Sequence, residues 1–576
     1  MSRTKRVLSN LKYIGLSRVL VNILILMSQN AFPLIGSYIN KYLANSLVTR
    51  DNASTIGIIL FQITIWIVSI LLSAYDQNVR QEAVTRSDTY DKLELCKKKC
   101  ALSAQYFESP AGANKFNMAN RGIGKRYSLF KNIILLILLL PVLILSILPI
   151  VKSALRACWI LALILCLNIL VSVKCSDIEY LESLKQLESE RKRNYYKSLF
   201  FNFPSLKEIK CLGIEMWVLN KYDKVSKKIF KETQRIHIRS AFAMAVVDFT
   251  SLISKLFFWV YICYKTLGGE ILISDCVLLI GLWDTAIGEI EEFRYAVIRI
   301  YNDYKGVKDI DSFLDVEEKP RGESVLSVNT INIKNLSFSY PSTEAKPVLK
   351  NVSLDLYSGN CYLMLGANGA GKSTLIKLLL SHFKVEAGSI TINGYYDINK
   401  IRGIKVGYMA QNNPHFSLTI KENIIFGSAY DEKRFAGVIQ KAGLIDLIES
   451  LPLKEDTLLG MAYDEGREIS GGQWQRINFA RLLYNQCNLV ILDEPTASMD
   501  PLAEQKLYYD IKTIFKDKIV ILVSHRFSSV GFADKIIFLD NGEVVGFDTH
   551  EALLNNCASY KSMIAVSKEL LEGESY

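Results

Sequence analysis

Residues 361–374 read CYLMLGANGAGKST, an apolar run followed by a glycine-rich loop, a lysine and two hydroxyl residues. Such a G-x-x-x-x-G-K-[ST] loop, between a predicted strand over 361–365 and a predicted helix from 374, is typical of a site for nucleotide phosphates. Glycine lets backbone N–H groups curl around an anion, and the helix N-terminus adds a favourable field. The candidate phosphate-binding residues are Gly366, Asn368, Gly369, Ala370, Gly371, Lys372, Ser373 and Thr374.

Two further apolar runs end in residues that suit the same chemistry. Residues 490–492 (VIL) predict a strand that ends in Asp493 and Glu494. The first carboxylate can hold Mg²⁺ together with the Ser373 hydroxyl, and the second can polarise an attacking water. His525 follows a third run at a position that suits a contact with the γ-phosphate. The alternative interpretations are an acidic turn and a structural histidine.

In this order and spacing, the motifs resemble the ATP-binding cassette of ABC transporters over residues 327–567. Gln411 is similar to the glutamine of the Q-loop, and 498–500 to the D-loop. Residues 469–473 (ISGGQ) are similar to the signature motif, with Ile469 in place of the usual leucine. The resemblance implies ATP and Mg²⁺ as cofactors, with Glu494, His525 and Gln411 as catalytic residues and Ser373, Gln411 and Asp493 at the metal. It adds further nucleotide contacts from Tyr340, Ser470, Gly471, Gly472, Gln473 and Asp500.

The family resemblance also implies a dimer, because its signature residues bind the nucleotide held by the opposite subunit. This chain has one phosphate loop and one signature motif, so two chains are needed for two sites. Every catalytic position carries the expected residue, including Glu494, which favours a homodimer. A heterodimer remains an alternative.

The first half of the chain is strongly apolar. Half of the 576 residues are hydrophobic, and mean hydropathy is +0.18. Six apolar stretches predict membrane-spanning helices at 19–39, 56–75, 132–151, 157–173, 241–264 and 271–290. The net charge of +10 comes with basic residues that cluster beside these stretches, so the predicted partner is the lipid bilayer and not nucleic acid. A soluble ATPase acting on nucleic acid is excluded by the spans.

The distribution of positive charge predicts the orientation. Five basic residues precede the first span, and about eleven lie between the second and third spans. The protein is predicted to lie in the cell membrane. Because positive residues stay on the inner side, we expect the cytoplasm to contain the N-terminus, both long loops and the cassette. Residues 105–120 and 202–215 interrupt the helical loops and resemble the coupling regions of ABC exporters; ordinary helical bends are the alternative.

The predicted fold is an α-helical six-span transmembrane domain with cytoplasmic helical extensions, fused to an α/β P-loop ATPase domain. The predicted divisions are a transmembrane domain over 1–312, a linker over 313–326, the cassette over 327–567 and a tail over 568–576. Six spans followed by a cassette resemble an ABC half-exporter.

Ionisable residues inside spans are costly and are candidates for function, so Asp248 and Asp284 are predicted to line a substrate cavity. An acidic cavity suits a cationic substrate. The alternatives are that Asp284 bonds to a neighbouring helix and that the nearby glutamates pair locally, for example Glu291 with Arg294.

Residues 468–481 and 500–508 are also similar to cassettes of bacterial exporters of lantibiotics and related modified peptides. The leading hypothesis is an ATP-driven exporter of a peptide that works by alternating access. The alternatives are a lipid or drug exporter, and an ATPase that gates a channel or signals without moving a substrate.

Overall fold

The computed structural model describes residues 3–318, 324–325, 327–340, 347–401, 403–411, 413–461, 463–495, 501–524 and 527–573. Its contacts divide the chain into two units. The first comprises residues 1–99 and 114–316, and the second comprises 100–113 and 317–576. Each unit is described by itself below. The boundaries drawn from the sequence stay predictions.

The first unit is built from long helices. In chain order, the helices of the N-terminal half are α1 Arg3–Ile14, α2 Leu16–Thr49, α3 Asn52–Ala101, α4 Ala104–Glu108, α5 Pro110–Arg121, α6 Lys125–Lys185, α7 Leu187–Phe201, α8 Phe203–Leu212, α9 Glu215–Leu267 and α10 Ile273–Leu314. Ala154 bends α6 with φ −152° and ψ 58°, which separates its two apolar segments. The predicted helical extensions over 80–100 and 176–193 are confirmed: α3 continues to Ala101, and α6 continues to Lys185 and is followed by α7.

Among the described residues, five helical segments are long and apolar enough to cross a membrane. They are Leu16–Thr49, Asn52–Ala101, Lys125–Leu155, Trp159–Glu182 and Glu215–Leu267. These segments contain the first five predicted spans, apart from the first two residues of the fourth. The sixth, 271–290, lies mostly in α10 but is not among the five, because Asp275, Asp284 and Glu289 lower its apolar character. It is the most buried helix of this unit instead.

Helix α10 forms the centre of the first unit, where it packs against α2, α6 and α9. Its residues Leu282, Trp283, Ala286 and Ile287 are fully buried. The indole of Trp283 stacks on Phe258 of α9 with ring centroids 3.9 Å apart. This packing explains how a helix with several acidic residues stays inside the bundle, since most of its surface faces other helices.

The second unit is an α/β domain with two main sheets. Its strands are β1 Ser324–Val325, β2 Thr330–Phe338, β3 Leu349–Tyr357, β4 Cys361–Gly366, β5 Ala387–Ile392, β6 Tyr396–Asp397, β7 Gly403–Ile404, β8 Val406–Met409, β9 Leu489–Asp493, β10 Ile519–Val523, β11 Lys535–Asp540 and β12 Glu543–Asp548. Six of them form a sheet in the order β12-β11-β4-β10-β9-β8, parallel except for β12. Four form an antiparallel sheet in the order β3-β2-β5-β6.

Helices cover both faces of the parallel sheet, as its continuously apolar strands require. They are α11 Lys372–Leu379, α12 Ile420–Ile425, α13 Glu432–Lys441, α14 Ile445–Ser450, α15 Gly471–Tyr484, α16 Pro501–Ile514, α17 His550–Asn556 and α18 Ala558–Gly573. Alternate residues of β4 belong to two different cores. Leu363 packs with α15, and Met364 packs with α11 and the antiparallel sheet. The predicted strand, loop and helix around the glycine-rich loop are confirmed, with α11 beginning two residues earlier.

Residues 100–113 belong to the second unit, although they lie between two helices of the first. The backbone N–H of Gln105 donates to the carbonyl oxygen of His382 at 3.1 Å, and its side-chain oxygen accepts from the backbone N–H of Lys384 at 3.2 Å. Lys377 of α11 lies 3.4 Å from the Glu108 carboxylate. This part of the predicted coupling region is thus held by the second unit. The other predicted region contains α8, which ends at Gly213 in the left-handed conformation with φ 64°.

Candidate nucleotide-binding site

A cavity of about 260 Å³ lies at the carboxyl ends of β4, β9 and β10. Parallel strands end at the same edge of the sheet, so loops from distant parts of the chain meet there. The cavity brings together nine of the residues predicted from the sequence: Asn368, Gly369, Gly371, Lys372, Ser373, Thr374, Gln411, Asp493 and Glu494. Val348 and Val523 complete its wall.

Two glycines of the loop cannot be replaced without strain. Gly366 has φ 150°, and a Cβ there would lie 2.2 Å from the carbonyl oxygen of Leu539. Gly371 has φ 103°, and a Cβ there would lie 2.6 Å from the side chain of Leu349. Both positions therefore require the freedom and the small size of glycine. Gly366 and Ala370 shape the loop without lining the cavity.

Lys372 begins α11 and is almost fully buried. Its ammonium group donates to the carbonyl oxygens of Gly366 at 2.7 Å and Ala367 at 3.0 Å. Burial lowers the pKa of Lys372 below its usual value, while the nearby charges of Glu494 and Asp493 oppose that shift. These two carbonyl oxygens hold the Lys372 ammonium group at the loop, where an anionic phosphate group would compensate its charge.

Asp493 and Glu494 stand at the end of β9. Glu494 has φ 48°, a left-handed conformation that is uncommon for a residue with a side chain. Its backbone N–H donates to the carbonyl oxygen of Val523 at 3.0 Å. The side-chain amide of Gln411 donates to the Glu494 carboxylate at 2.8 Å. A non-glycine residue in this conformation marks a position that the surrounding structure enforces, as occurs at functional sites.

The donor set of the cavity fits a divalent cation of the magnesium type. Mg²⁺ prefers oxygen ligands and is bound by one or two carboxylates together with substrate phosphates and water. The Ser373 hydroxyl, the Asp493 carboxylate and the Gln411 side chain all line the same cavity.

The signature residues lie at the N-terminus of α15, with Ser470 and Gly471 exposed. Ser470 caps the helix: its hydroxyl accepts from the backbone N–H of Gln473 at 3.3 Å, and the Gln473 side chain accepts from the N–H of Ser470 at 2.9 Å. None of these residues lines the cavity of their own chain. The exposed N-terminus of a 14-residue helix presents free N–H groups suited to an anion.

Tyr340 follows β2 and does not line the cavity. Its hydroxyl lies 3.1 Å from that of Thr374, and its ring contacts Phe338 and Phe383 edge-on. The aromatic ring thus lies beside the phosphate-binding helix, and its predicted stacking on adenine stays a prediction.

Four predicted positions lie outside the described residues: His525, Asp500 and the adjoining D-loop residues Ser498 and Met499. Sequence reasoning missed Val348 and Val523. The signal for Val523 was present, because the apolar run that becomes β10 ends there, at the same sheet edge as Asp493.

The two candidate cavity acids of the first unit each face a basic residue. Asp248 of α9 accepts from Arg294 of α10 at 2.8 Å. Lys255 lies 3.9 Å from Asp284. The predicted alternative of a pair between Glu291 and Arg294 is wrong, because the Arg294 guanidinium turns towards α9. Local cations thus offset much of the negative charge that the sequence indicated here.

Comparison with known proteins agrees with this geometry. Residues 349–497 match the ABC transporter family. The chain is 28% identical to the subtilin transport ATP-binding protein SpaT of Bacillus subtilis, over 92% of this chain and 88% of that protein. It is 26% identical to the nisin transport ATP-binding protein NisT of Lactococcus lactis subsp. lactis, over 95% and 93%.

A solved structure shares the whole fold. It is described as a bacterial Atm1-family ABC exporter with ATP bound, and it matches with a TM-score of 0.80 over 95% of this chain and 98% of that chain, at 17% identity. The chain therefore carries an ABC transporter ATPase domain fused to a multi-pass helical membrane domain, and it is homologous to the subtilin and nisin transport ATP-binding proteins.

Proposed function

We propose that this protein exports a peptide from the cytoplasm, driven by ATP hydrolysis between the cassettes of a homodimer. The observation that carries the proposal is the extent of the match to the two peptide-transport proteins, 92% and 95% of this chain. A match of that extent includes the membrane half, where the substrate is handled. A match confined to the cassette would support ATP hydrolysis alone.

The cavity supports a division of labour among its residues. Lys372 and the N–H groups of 368–374 bind the β- and γ-phosphates. Glu494 orients the attacking water and accepts its proton, and Gln411 holds the Glu494 carboxylate in place through their 2.8 Å hydrogen bond. His525 and Asp500 complete the proposed set.

Ser373, Asp493 and Gln411 are the proposed holders of Mg²⁺. When bound, the cation would supply positive charge that stabilises the charge developing on the phosphate oxygens during transfer. The buried Lys372 acts on the same oxygens from the side of α11.

The location of the signature residues supports the proposed dimer. Ser470 and Gly471 are exposed and lie outside the cavity of their own chain, which suits a second chain presenting its signature residues to the γ-phosphate. The Tyr340 ring would contact adenine. The proposed orientation, with both long loops and the cassette in the cytoplasm, follows from the basic residues that flank the spans.

The test is transport by the purified protein in sealed vesicles with the cassettes outside. The probes are labelled peptides of acidic, neutral and basic charge, a fluorescent phospholipid and a cationic dye. We expect ATP-dependent uptake of a peptide that is absent with Glu494→Gln. Uptake of the phospholipid or dye alone would assign a different substrate class, and ATP hydrolysis without uptake of any probe would favour a gating or signalling role.

A further inference from the structure

The first unit contains a second cavity, of about 470 Å³, between α2, α3, α6 and α10. Its charged wall is formed by three basic residues and one acidic residue: Arg80, Lys131, Arg299 and Glu292. Leu26, Val84 and Leu135 supply an apolar side. It is thus a basic pocket, in contrast to the acidic cavity that the sequence indicated.

The charges of this pocket are unevenly compensated. Arg80 pairs with the buried Asp76, and Arg299 pairs with Glu292 at 2.5 Å. Within the described part of the chain, Lys131 has neither an ion pair nor a hydrogen bond, although it is half-buried and shares the pocket with two guanidinium groups. A partly buried cation beside like charges is costly unless an anion joins it.

A second hydrogen-bond donor in the pocket also lacks an acceptor among the described residues. The Nδ2 atom of Asn30 is buried and has no hydrogen-bond partner among the described residues. Buried donors are almost always satisfied in folded proteins. An ammonium group and an amide N–H that both lack acceptors in one cavity indicate a ligand with several anionic or carbonyl oxygens.

The pocket lies where the apolar stretches end. Arg80 follows the second predicted span by five residues, Lys131 directly precedes the third, and Arg299 follows the sixth by nine. With the orientation proposed above, this is the cytoplasmic boundary of the bilayer. Basic pockets between membrane helices at this level bind the headgroups of anionic lipids.

The geometry points to a binding site for one anionic phospholipid of the cytoplasmic leaflet, its phosphodiester held by Lys131 and Asn30 and its glycerol and upper acyl carbons against Leu26, Val84 and Leu135. This site is separate from the nucleotide cavity. It rests on the proposed orientation and not on the identity of the substrate.

The experiment compares phosphatidylglycerol with phosphatidylcholine on the full-length protein in detergent, with thermal stability as the readout. We expect phosphatidylglycerol, but not phosphatidylcholine, to raise the melting temperature. Lys131→Gln should weaken the apparent affinity for phosphatidylglycerol roughly tenfold, because one charge-assisted contact is lost. Lys131→Arg should retain binding. Lys174→Gln is the matched control, since it removes the same charge from α6 outside the pocket.

Several outcomes would overturn the site. One is an equal loss of phosphatidylglycerol affinity in Lys131→Gln and Lys174→Gln, and another is no loss of affinity in Lys131→Gln. The third is that inorganic phosphate raises the melting temperature as much as phosphatidylglycerol does, which would indicate a soluble anion. If Lys131→Gln weakened stimulation of the ATPase by an acidic peptide but left lipid binding unchanged, the pocket would belong to the substrate. Should Lys131→Gln not fold, Asn30→Ala tests the same site by loss of the amide donor.

Discussion

The side-chain amide of Gln411 donates a 2.8 Å hydrogen bond to the carboxylate of Glu494, a residue 83 positions away in sequence. The bond joins the segment after β8 to the end of β9. A carboxylate that must orient a water needs a fixed position, and this amide provides one. Movement of the Gln411 segment would therefore displace the proposed catalytic base.

Glu494→Gln should retain ATP binding and reduce turnover by roughly 100-fold or more, because the amide cannot accept a proton from water. The shape of the side chain is kept, so the nucleotide contacts of Lys372 and Ser373 remain. Steady-state hydrolysis and nucleotide binding on the same preparation measure both effects. Hydrolysis near the wild-type rate would remove Glu494 from the catalytic role.

Lys372→Ala should weaken ATP binding roughly 10- to 100-fold, since a hydrogen bond to a charged group contributes about 1.5–3 kcal/mol. Lys350→Ala, an exposed lysine of the same domain, is the control and should leave the affinity unchanged. Binding of a fluorescent ATP analogue is the measurement. Unchanged affinity in Lys372→Ala would show that the phosphates lie elsewhere.

Mixing Ser470→Ala chains with Glu494→Gln chains tests the shared sites. Ser470 lies outside the nucleotide cavity of its own chain, so in the proposed dimer it would serve the site of the other chain. Each hybrid dimer would therefore have one composite site with both substitutions and one with neither. We expect the mixture to regain part of the turnover that each variant lacks alone. A monomer with full ATPase activity would contradict the dimer directly.

Glu108→Lys should impair coupling and leave nucleotide binding intact. The residue lies 3.4 Å from Lys377 of α11, the helix that begins with Lys372. Both side chains are partly exposed, so the effect on stability should stay below about 1 kcal/mol. Substrate-stimulated and basal ATPase rates are compared, and Lys377→Glu in the same chain should restore stimulation. Normal stimulation in Glu108→Lys would contradict a coupling role for this contact.

Asp248 and Asp284 should differ in what their loss does. Asp248→Ala leaves the buried Arg294 guanidinium without its carboxylate, so we expect a loss of about 1–3 kcal/mol and a lower melting temperature. Asp284→Asn should cost under about 1 kcal/mol, because Lys255 and Asp284 are both partly exposed.

The same two variants separate stability from substrate binding. If Asp284 contacts a cationic peptide, Asp284→Asn should reduce substrate-stimulated ATPase and leave basal ATPase unchanged. Equal stimulation in the variant and the wild type would exclude that contact. An unchanged melting temperature in Asp248→Ala would show that Arg294 does not depend on Asp248.

The sequence by itself determined the parts of this protein that are encoded in local patterns. The apolar run over 361–365, the glycine-rich loop and the helix after it appear as β4, the loop and α11. Five apolar stretches appear in helices able to cross a membrane, because length and apolar character are sufficient to indicate a span. Apolar residues recur every 3.6 positions in a helix and every 2 in a strand, and a phosphate-binding loop needs particular residues in a row. These are local properties, so the sequence alone reveals them.

Only the tertiary structure decided which distant residues meet. The strand order β4-β10-β9-β8 places Gln411, Glu494 and Lys372 around one cavity, and no local pattern states that order. The packing of α9 against α10 likewise gave Asp248 an arginine partner, which changed an apparently acidic surface into a compensated one. Charge inside a folded protein is set by neighbours in space, and packing brings together residues that the sequence keeps far apart.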